Sequence, residues 1–422
     1  MISGRNLLVM AALSAVMLGN AARAQSPLAG ALSEAKPLVD VRWRYEYVDQ
    51  LATPALDTAN ANTLRLRLGF ETGKAWNTAL LADFEVVGVL KDEYREDPSV
   101  PGVNTGFPVV ADPKGSELNR LQLTNTSILD TTITMGRQRI NLDDTRFIGN
   151  VGWRQNEQTY DALRIVNRHI ANLVLDAGYI RYVHRVFGED SPQSPYRGHS
   201  GWGNASYQFK AGKLTGFAYL LDFDPITGIA AALNPVRVAT STYGVRFAGE
   251  RPTGKLKLGY TASWATQADR GANPLAIDND YLLLELSASW RQFVALLGSE
   301  TLAGDGVIGF STPLATLHRF QGWADKFLTT PANGIDDKYA QLTWLNKGMG
   351  PFDTVTLIAA YHLYEPEHVS GDYGDELNLS LAAKYKRFTT TLKYADYQAD
   401  AMTPLAVARD TEKFWAQLEF AY

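Results

Sequence analysis

The chain has 422 residues, of which 45% are hydrophobic, 20% charged and 11% aromatic; it contains 35 Gly and no Cys and carries a formal net charge of -5. Without cysteine there is no zinc finger, iron–sulfur cluster, catalytic thiol or disulfide scaffold, and a mildly acidic balance leaves no electrostatic footprint for nucleic acid. A mean hydropathy of -0.17 suits a soluble protein, but a membrane barrel hides behind the same value because each strand turns only alternate residues to lipid.

Residues 1–24 read as a cleaved secretory signal, with Arg5 as the positive n-region, an apolar stretch from Leu7 to Leu18, and the small-x-small site Ala22-Arg23-Ala24. The apolar stretch is shorter than the ~20 residues of a membrane-spanning helix. Residues 25–422 then form one unit.

From residue 38 onward the dominant period is two. In Val41-Arg42-Trp43-Arg44-Tyr45-Glu46-Tyr47 the apolar residues take odd positions and the charged ones even positions, and Leu64-Arg65-Leu66-Arg67-Leu68 repeats the pattern. Such runs fall near 38–48, 62–71, 78–90, 117–126, 130–140, 158–167, 172–183, 201–210, 214–223, 241–249, 255–265, 280–290, 292–300, 336–347, 352–364, 374–386, 387–397 and 412–422. That predicts eighteen strands, with sixteen as the alternative count; alternation is blurred over 130–183, where Gly136 marks a candidate bulge that shifts the phase. Strands of this length exceed the usual soluble strand and match tilted transmembrane strands. Short connections such as Thr72 to Asn77 and Lys386-Arg387 alternate with long ones such as Lys91 to Ser116, His184 to Ser200 and Thr301 to Ile335. The expected fold is therefore all-β: a single closed antiparallel transmembrane barrel with short periplasmic turns and long extracellular loops, in the bacterial outer membrane. The last strand agrees, since Phe414, Ala416, Leu418, Phe420 and Tyr422 share one parity. Trp43, Tyr45, Tyr47, Trp264, Trp290, Trp344, Tyr361, Tyr394 and Phe420 are candidates for the interfacial aromatic girdles.

If the apolar parity faces lipid, the other parity lines the lumen. Arg42, Arg44, Arg65, Arg67, Arg120, Arg246, Lys257, Lys384 and Lys393 fall on it, with Arg137, Arg139 and Arg154 as additions, interleaved with Glu46, Glu71, Asp83, Glu85 and Glu285. These arginines have two readings: cross-strand pairs that brace a wide barrel, or a cationic lining that favours anions, the planar guanidinium suiting carboxylates. The loop from Phe310 to Gly334, with Phe320, Trp323 and Phe327, either folds inward as a constriction or stays exposed outside.

Enzyme chemistry has little footing. In Gly198-His199-Ser200-Gly201 the adjacent His and Ser point apart on an extended chain, no Gly-x-Ser-x-Gly elbow occurs, and Asp222 with Asp224 fits no calcium-loop spacing. No enzyme activity and no cofactor are expected.

The block Gly136-Arg137-Gln138-Arg139-Ile140-Asn141-Leu142-Asp143-Asp144-Thr145-Arg146-Phe147, followed by Gly152-Trp153-Arg154-Gln155-Asn156, resembles the alginate export family of outer-membrane barrels, as do Arg42-Trp43-Arg44 and His318-Arg319-Phe320-Gln321-Gly322-Trp323. The resemblance spans the region after residue 25. It implies an eighteen-stranded monomer whose arginine-rich, water-filled lumen conducts an anionic polysaccharide, with Arg42, Arg44, Arg65, Arg67, Arg137, Arg139 and Arg154 in the lining and Asp143, Asp144 and Arg146 at the mouth. The expected function is passive transport of anionic solutes, alginate or sugar acids. A general or aromatic-acid uptake porin is the alternative, and a barrel enzyme or structural barrel the second alternative. Expected partners are outer-membrane lipid and lipopolysaccharide, the barrel-assembly machinery, and an anionic saccharide or small organic anion.

Overall fold

The computed structural model describes residues 26–52, 54–400 and 409–422; the predicted signal segment lies outside them. A short helix α1 (Pro27–Ser33), capped by the Ser26 hydroxyl accepting from the Ala29 N–H at 3.2 Å, precedes the strands. These are β1 (Lys36–Gln50), β2 (Ala59–Glu71), β3 (Thr78–Glu93), β4 (Gly115–Asn125), β5 (Thr131–Gln138), β6 (Thr159–Asn167), β7 (Leu173–His184), β8 (Tyr196–Gln208) and β9 (Lys213–Leu220). They continue as β10 (Thr240–Thr253), β11 (Leu256–Asp269), β12 (Asp278–Trp290), β13 (Phe293–Leu302), β14 (Ile335–Met349), β15 (Phe352–Glu365), β16 (Gly374–Tyr385), β17 (Phe388–Gln398) and β18 (Thr411–Ala421). All eighteen form one sheet in which each strand pairs antiparallel with its sequence neighbours, and β1 closes on β18 from Asp40 opposite Ala421 to Gln50 opposite Thr411. Closure removes both sheet edges, as a barrel in lipid requires.

The parity read from the sequence holds through most of the wall. Leu64, Trp264, Leu284, Trp290, Leu342, Tyr361, Leu379 and Leu418 are exposed on the outside, whereas Arg44, Arg65, Thr215, Ala265 and Trp415 are buried inside. Exposure of large apolar side chains around a closed wall is what a lipid-facing band requires.

One phase prediction is corrected. No register shift occurs at Gly136; its φ of +114° sits in continuous pairing, where an added Cβ would come within 2.2 Å of the Leu121 carbonyl oxygen. The register breaks instead opposite it, between Asp161 and Ala162 on the β6–β7 pair and again between Ile180 and Tyr182 on the β7–β8 pair. Arg137 shares the parity of Met135, which is 57% exposed, and stands opposite Leu121, which is 45% exposed, so it points outward rather than into the lumen.

The lumen is not an open bore. Segments 94–114, 139–158 and 303–334 enter it and pack on one another, with Ile148 bridged to Leu314 and the Gly149 N–H donating to the Leu314 carbonyl at 2.8 Å. Phe147 sits among Phe217, Tyr219, Tyr281 and Phe310 at ring separations of 5.1 to 6.1 Å. Phe327 packs 4.7 Å from Tyr364 and 5.9 Å from Tyr373 and Tyr397. The loop around residues 310–334 thus takes the inward of its two predicted positions.

Candidate functional site

The arginine ladder rises from β1 to β4. Alternation sends Arg42 and Arg44 of β1 and Arg65 and Arg67 of β2 to the same face, with Arg42 directly opposite Arg65. Like charges in that position repel unless each finds an acceptor. Each does: Arg42 pairs with Glu419, Arg65 with Asp40, and Arg67 with Glu85, while Arg44 Nη1 lies 3.1 Å from Asp112. On β4, Arg120 Nε donates to Asp83 at 2.9 Å.

The remaining donors grip the loop at 139–158. Arg42 Nη1 reaches the carbonyl oxygens of Gly152, Trp153 and Arg154, each at 3.1 Å, and Arg65 and Arg67 both donate to the Gln155 carbonyl, at 3.2 and 3.3 Å. From the loop, Arg139 Nε donates to both oxygens of Glu157 at 2.7 and 2.8 Å, and Arg154 bridges Glu46 and Asp325, both at 3.0 Å. Burial alone would raise the Glu157 carboxyl, but Arg67 and Arg139 hold it down at about 2. The bracing reading of these arginines is the one seen here, and it extends from strand to loop.

Other predicted residues fall elsewhere. Arg246 is inward and pairs with Asp144 at 2.9 Å. Asp143 and Arg146, expected at the mouth, lie against the inner wall because the whole loop turns inward: Asp143 meets Lys213 at 2.8 Å, and Arg146 is fully buried against Glu300 at 2.7 Å. Asp144 follows them. Lys257 has inward parity but sits beside the short turn after β10, paired with Glu250 at 2.7 Å and half-exposed, so it belongs to the barrel's end and not to its pathway. Arg137 is outside, bound to Asp161 at 3.0 Å and Glu189 at 2.7 Å. His199 and Ser200 part as expected, His199 exposed and Ser200 buried.

A second anchor joins loop 303–334 to β17 and β18. His318 stacks on Trp153 at 4.5 Å with 5° between the planes, and its ring nitrogens lie 2.7 Å from Asp325 and 2.7 Å from Lys393. Burial, with Lys393 adding to it, takes the imidazole down to about 3, so it is neutral at physiological pH. Asp325 is shared among His318, Arg154 and Lys413, which together outweigh its burial and hold it well below the usual carboxylate range.

Between these anchors lies a cavity of about 460 Å³. Val48, Phe107, Val151, Phe187, Leu317 and Leu328 give it an apolar wall, and Arg95, Arg154, Arg185, Lys326 and Lys413 bring cationic groups to it. Arg95, Arg185 and Lys326 differ from the ladder: among the described residues none of them forms an ion pair. The Nε–H groups of Arg95 and Arg185 are buried without an acceptor. Among the described residues Lys326 Nζ donates to the Thr411 hydroxyl at 2.9 Å and lies 5.7 Å from the Tyr397 ring; burial, reinforced by Lys413, takes its ammonium down to about 7. Cations without a carboxylate partner beside an apolar wall are chemically suited to a small anion with an apolar body.

Sequence reasoning missed Arg95, Arg185 and Lys326 because they lie on loops, where alternation gives no direction. A signal was present in Tyr94-Arg95, Arg185-Val186-Phe187 and Lys326-Phe327: each is a cation beside an aromatic residue in a loop.

Comparison with solved structures shows what the wall is similar to. The fold is that of Pseudomonas aeruginosa porins. OccK9 (OpdG) aligns with a TM-score of 0.71 at 14% identity, covering 93% of this chain and 99% of that one. OpdK, solved with vanillate, aligns at 0.67 and 15%, covering 92% and 98%, and OccK2 (OpdF), solved with glucuronate, at 0.67 and 14%, covering 93% and 98%. At these identities the likeness is one of fold, an outer-membrane barrel of eighteen strands. No protein-family profile matches the sequence, and no curated protein matches it.

Proposed function

We propose that the protein is a passive, non-enzymatic, monomeric outer-membrane channel for small organic anions, selective for a carboxylate carried on an aromatic or sugar-sized body. The observation that carries this is the 460 Å³ cavity with its unpaired Arg95, Arg185 and Lys326 next to Phe107, Phe187 and Leu328. Arginine presents a planar fork to a carboxylate, the aromatic walls accept a ring face, and a site that is only partly enclosed by charge releases what it binds. The ladder residues Arg42, Arg44, Arg65 and Arg67 support transport indirectly by seating the loop that forms one side of the cavity. Vanillate and glucuronate, the ligands in the two similar barrels, are both carboxylates of this size. Alginate export, the reading implied by the family resemblance, needs a bore that passes a polysaccharide chain, and the three inward segments favour small solutes instead.

The test is the reversal potential of the refolded protein in a planar bilayer under a salt gradient, followed by titration with a substituted benzoate, a uronate monomer and a uronate oligomer. Anion selectivity with block by the monomers supports the reading. Block by the oligomer alone would restore polysaccharide transport, and cation selectivity without block would refute both.

A further inference from the structure

The short-turn end of the barrel carries a cationic patch that transport does not use. Alternation sends Arg251 of β10 to the outer face, on the parity of the exposed Tyr243 and Val245 and opposite the exposed Leu258 of β11. The tight turns beside it bring Lys210 between β8 and β9, Lys255 between β10 and β11, and Arg291 between β12 and β13 to the same rim. All four are exposed, and among the described residues none of them forms an ion pair.

The carboxylates around them face elsewhere or are already engaged. Glu250 has the inward parity of Arg246 and is taken by Lys257 at 2.7 Å. Asp176 and Glu285 also point inward, Asp176 bound by Arg164 at 3.0 Å and Glu285 by the Tyr339 hydroxyl at 2.8 Å, and Asp143 meets Lys213 on the lumen side. Along the rim the next carboxylates are Asp130, which meets His169 at 3.2 Å, and Asp353 on β15, which accepts from the Lys386 N–H at 2.6 Å. The rest of the rim is mixed, with Lys74 near Glu71 and Lys347 near Asp353. From β8 to β13 the outward charge at this end is cationic only.

Position on the barrel identifies the complement. On the same strands Tyr207 and Phe209 pack at 4.7 Å, Phe247 and Tyr260 at 5.9 Å, and Trp290 and Phe293 are exposed on the outer face. A belt of rings of this kind settles at the membrane–water interface. Arg291 shows how the cations relate to it, with its guanidinium 4.8 Å from the Trp290 ring centre. Cations at the edge of the belt on the short-turn side stand at the headgroup level of the inner, phospholipid leaflet. The long-loop ends of β9 to β12 carry Asp222, Asp224, Asp269, Asp278 and Asp280 against Arg237 and Arg270, so the positive charge belongs to this end of the wall and not to the arc as a whole.

We propose that Lys210, Arg251, Lys255 and Arg291 form a docking surface for anionic phospholipid of the inner leaflet, with the phosphates on the cations and the acyl chains along the aromatic and leucine face of β8 to β13. The surface rests on the barrel fold and not on the transport reading. It gathers anionic lipid on one side of the wall, and it gives a place to the rim that Lys257 shares without lining the pathway.

The test uses the refolded full chain in detergent, with lipid retention counted by native mass spectrometry for phosphatidylglycerol and phosphatidylcholine. Wild type retains phosphatidylglycerol over phosphatidylcholine; the double variant R251Q/R291Q loses at least ~10-fold of that preference, and K338Q at the long-loop end loses none. Raising the salt concentration weakens retention by the wild type, a readout that needs no variant. Equal retention by R251Q/R291Q, equal retention of phosphatidylcholine, or insensitivity to salt would each overturn the assignment. Displacement of the lipid by equimolar inorganic phosphate or by an equimolar polyglutamate peptide would overturn it too, by showing a surface for a soluble anion or an acidic protein. None of these outcomes depends on conductance.

Discussion

Lys326 gives a direct test of the cavity. Its ammonium is held down at about 7 by burial, reinforced by Lys413. An ammonium at that value is ~90% charged near pH 6 and ~10% charged near pH 8. A bound carboxylate favours the charged form, so binding is strongest at low pH and weakens as pH rises through about 7. If the neutral amine contributes nothing, the affinity for a substituted benzoate falls ~10-fold between those two pH values, because binding draws on the charged fraction. The benzoate itself, with a carboxyl pKa near ~4, stays ionised throughout. His318 on the cavity wall, held at about 3, does not titrate in this window either. Concentration-dependent block of single-channel current, measured from pH 6 to pH 8, reads the effect. Lys326→Arg should flatten the profile at high affinity. Lys326→Gln should flatten it at low affinity, since one charge-assisted hydrogen bond is worth ~1.5–3 kcal/mol. A pH-independent block in the wild type, or an unchanged profile in Lys326→Gln, would refute the argument.

The loop anchors yield further expectations. Replacing Asp325 by Asn leaves Arg154 and Lys413 short of a buried counter-charge, a loss of ~3–5 kcal/mol concentrated on loop 303–334; hydrogen exchange should rise in that loop and single-channel conductance increase while the barrel stays folded. The gap between the ordinary Glu value of 4.5 and about 2 at Glu157 corresponds to ~3 kcal/mol of support for loop 139–158. Because that carboxyl is depressed in the folded state, the support is complete above ~4.5 and is lost as pH falls towards about 2, so conductance noise should rise in that acid window and Glu157→Gln should show it already at neutral pH. Replacing Arg65 and Arg67 together by Ala leaves Asp40 and Glu85 without their guanidinium partners and Glu157 with Arg139 alone, so the reversal potential should move towards cation preference; an unchanged potential would count against their place in the lumen. Gly136→Ala forces a Cβ against the Leu121 carbonyl oxygen at positive φ and should lower the unfolding temperature of the folded barrel, by at least the ~1–3 kcal/mol typical of such strain.

Much of the wall was legible from the chain. A period of two gives the side of each residue directly, since successive side chains on a strand point to opposite faces, and so β1, β2 and β18 can be assigned inside and out without coordinates. Even the blurred strands β5 to β7 fall where the alternation placed them, within a residue or two at each end. Arg137 was misdirected although it shares the parity of Ile133 and Met135, the outward apolar residues of its own strand, because its charge was read as a sign of the lumen.

What the sequence by itself determined is therefore local and periodic: a closed barrel of alternating strands, an aromatic last strand, and an arginine ladder with carboxylates on the same face. Only the tertiary structure decided how those charges are used. Residues far apart in the chain, such as Arg42 and Gly152 or Arg154 and Asp325, meet across the bore, and burial makes each of them seek a partner there. The ladder is consumed in holding loops. Among the described residues that line the cavity, the cations left without a carboxylate partner are three loop residues, whose direction follows from long-range packing and from no repeat in the sequence.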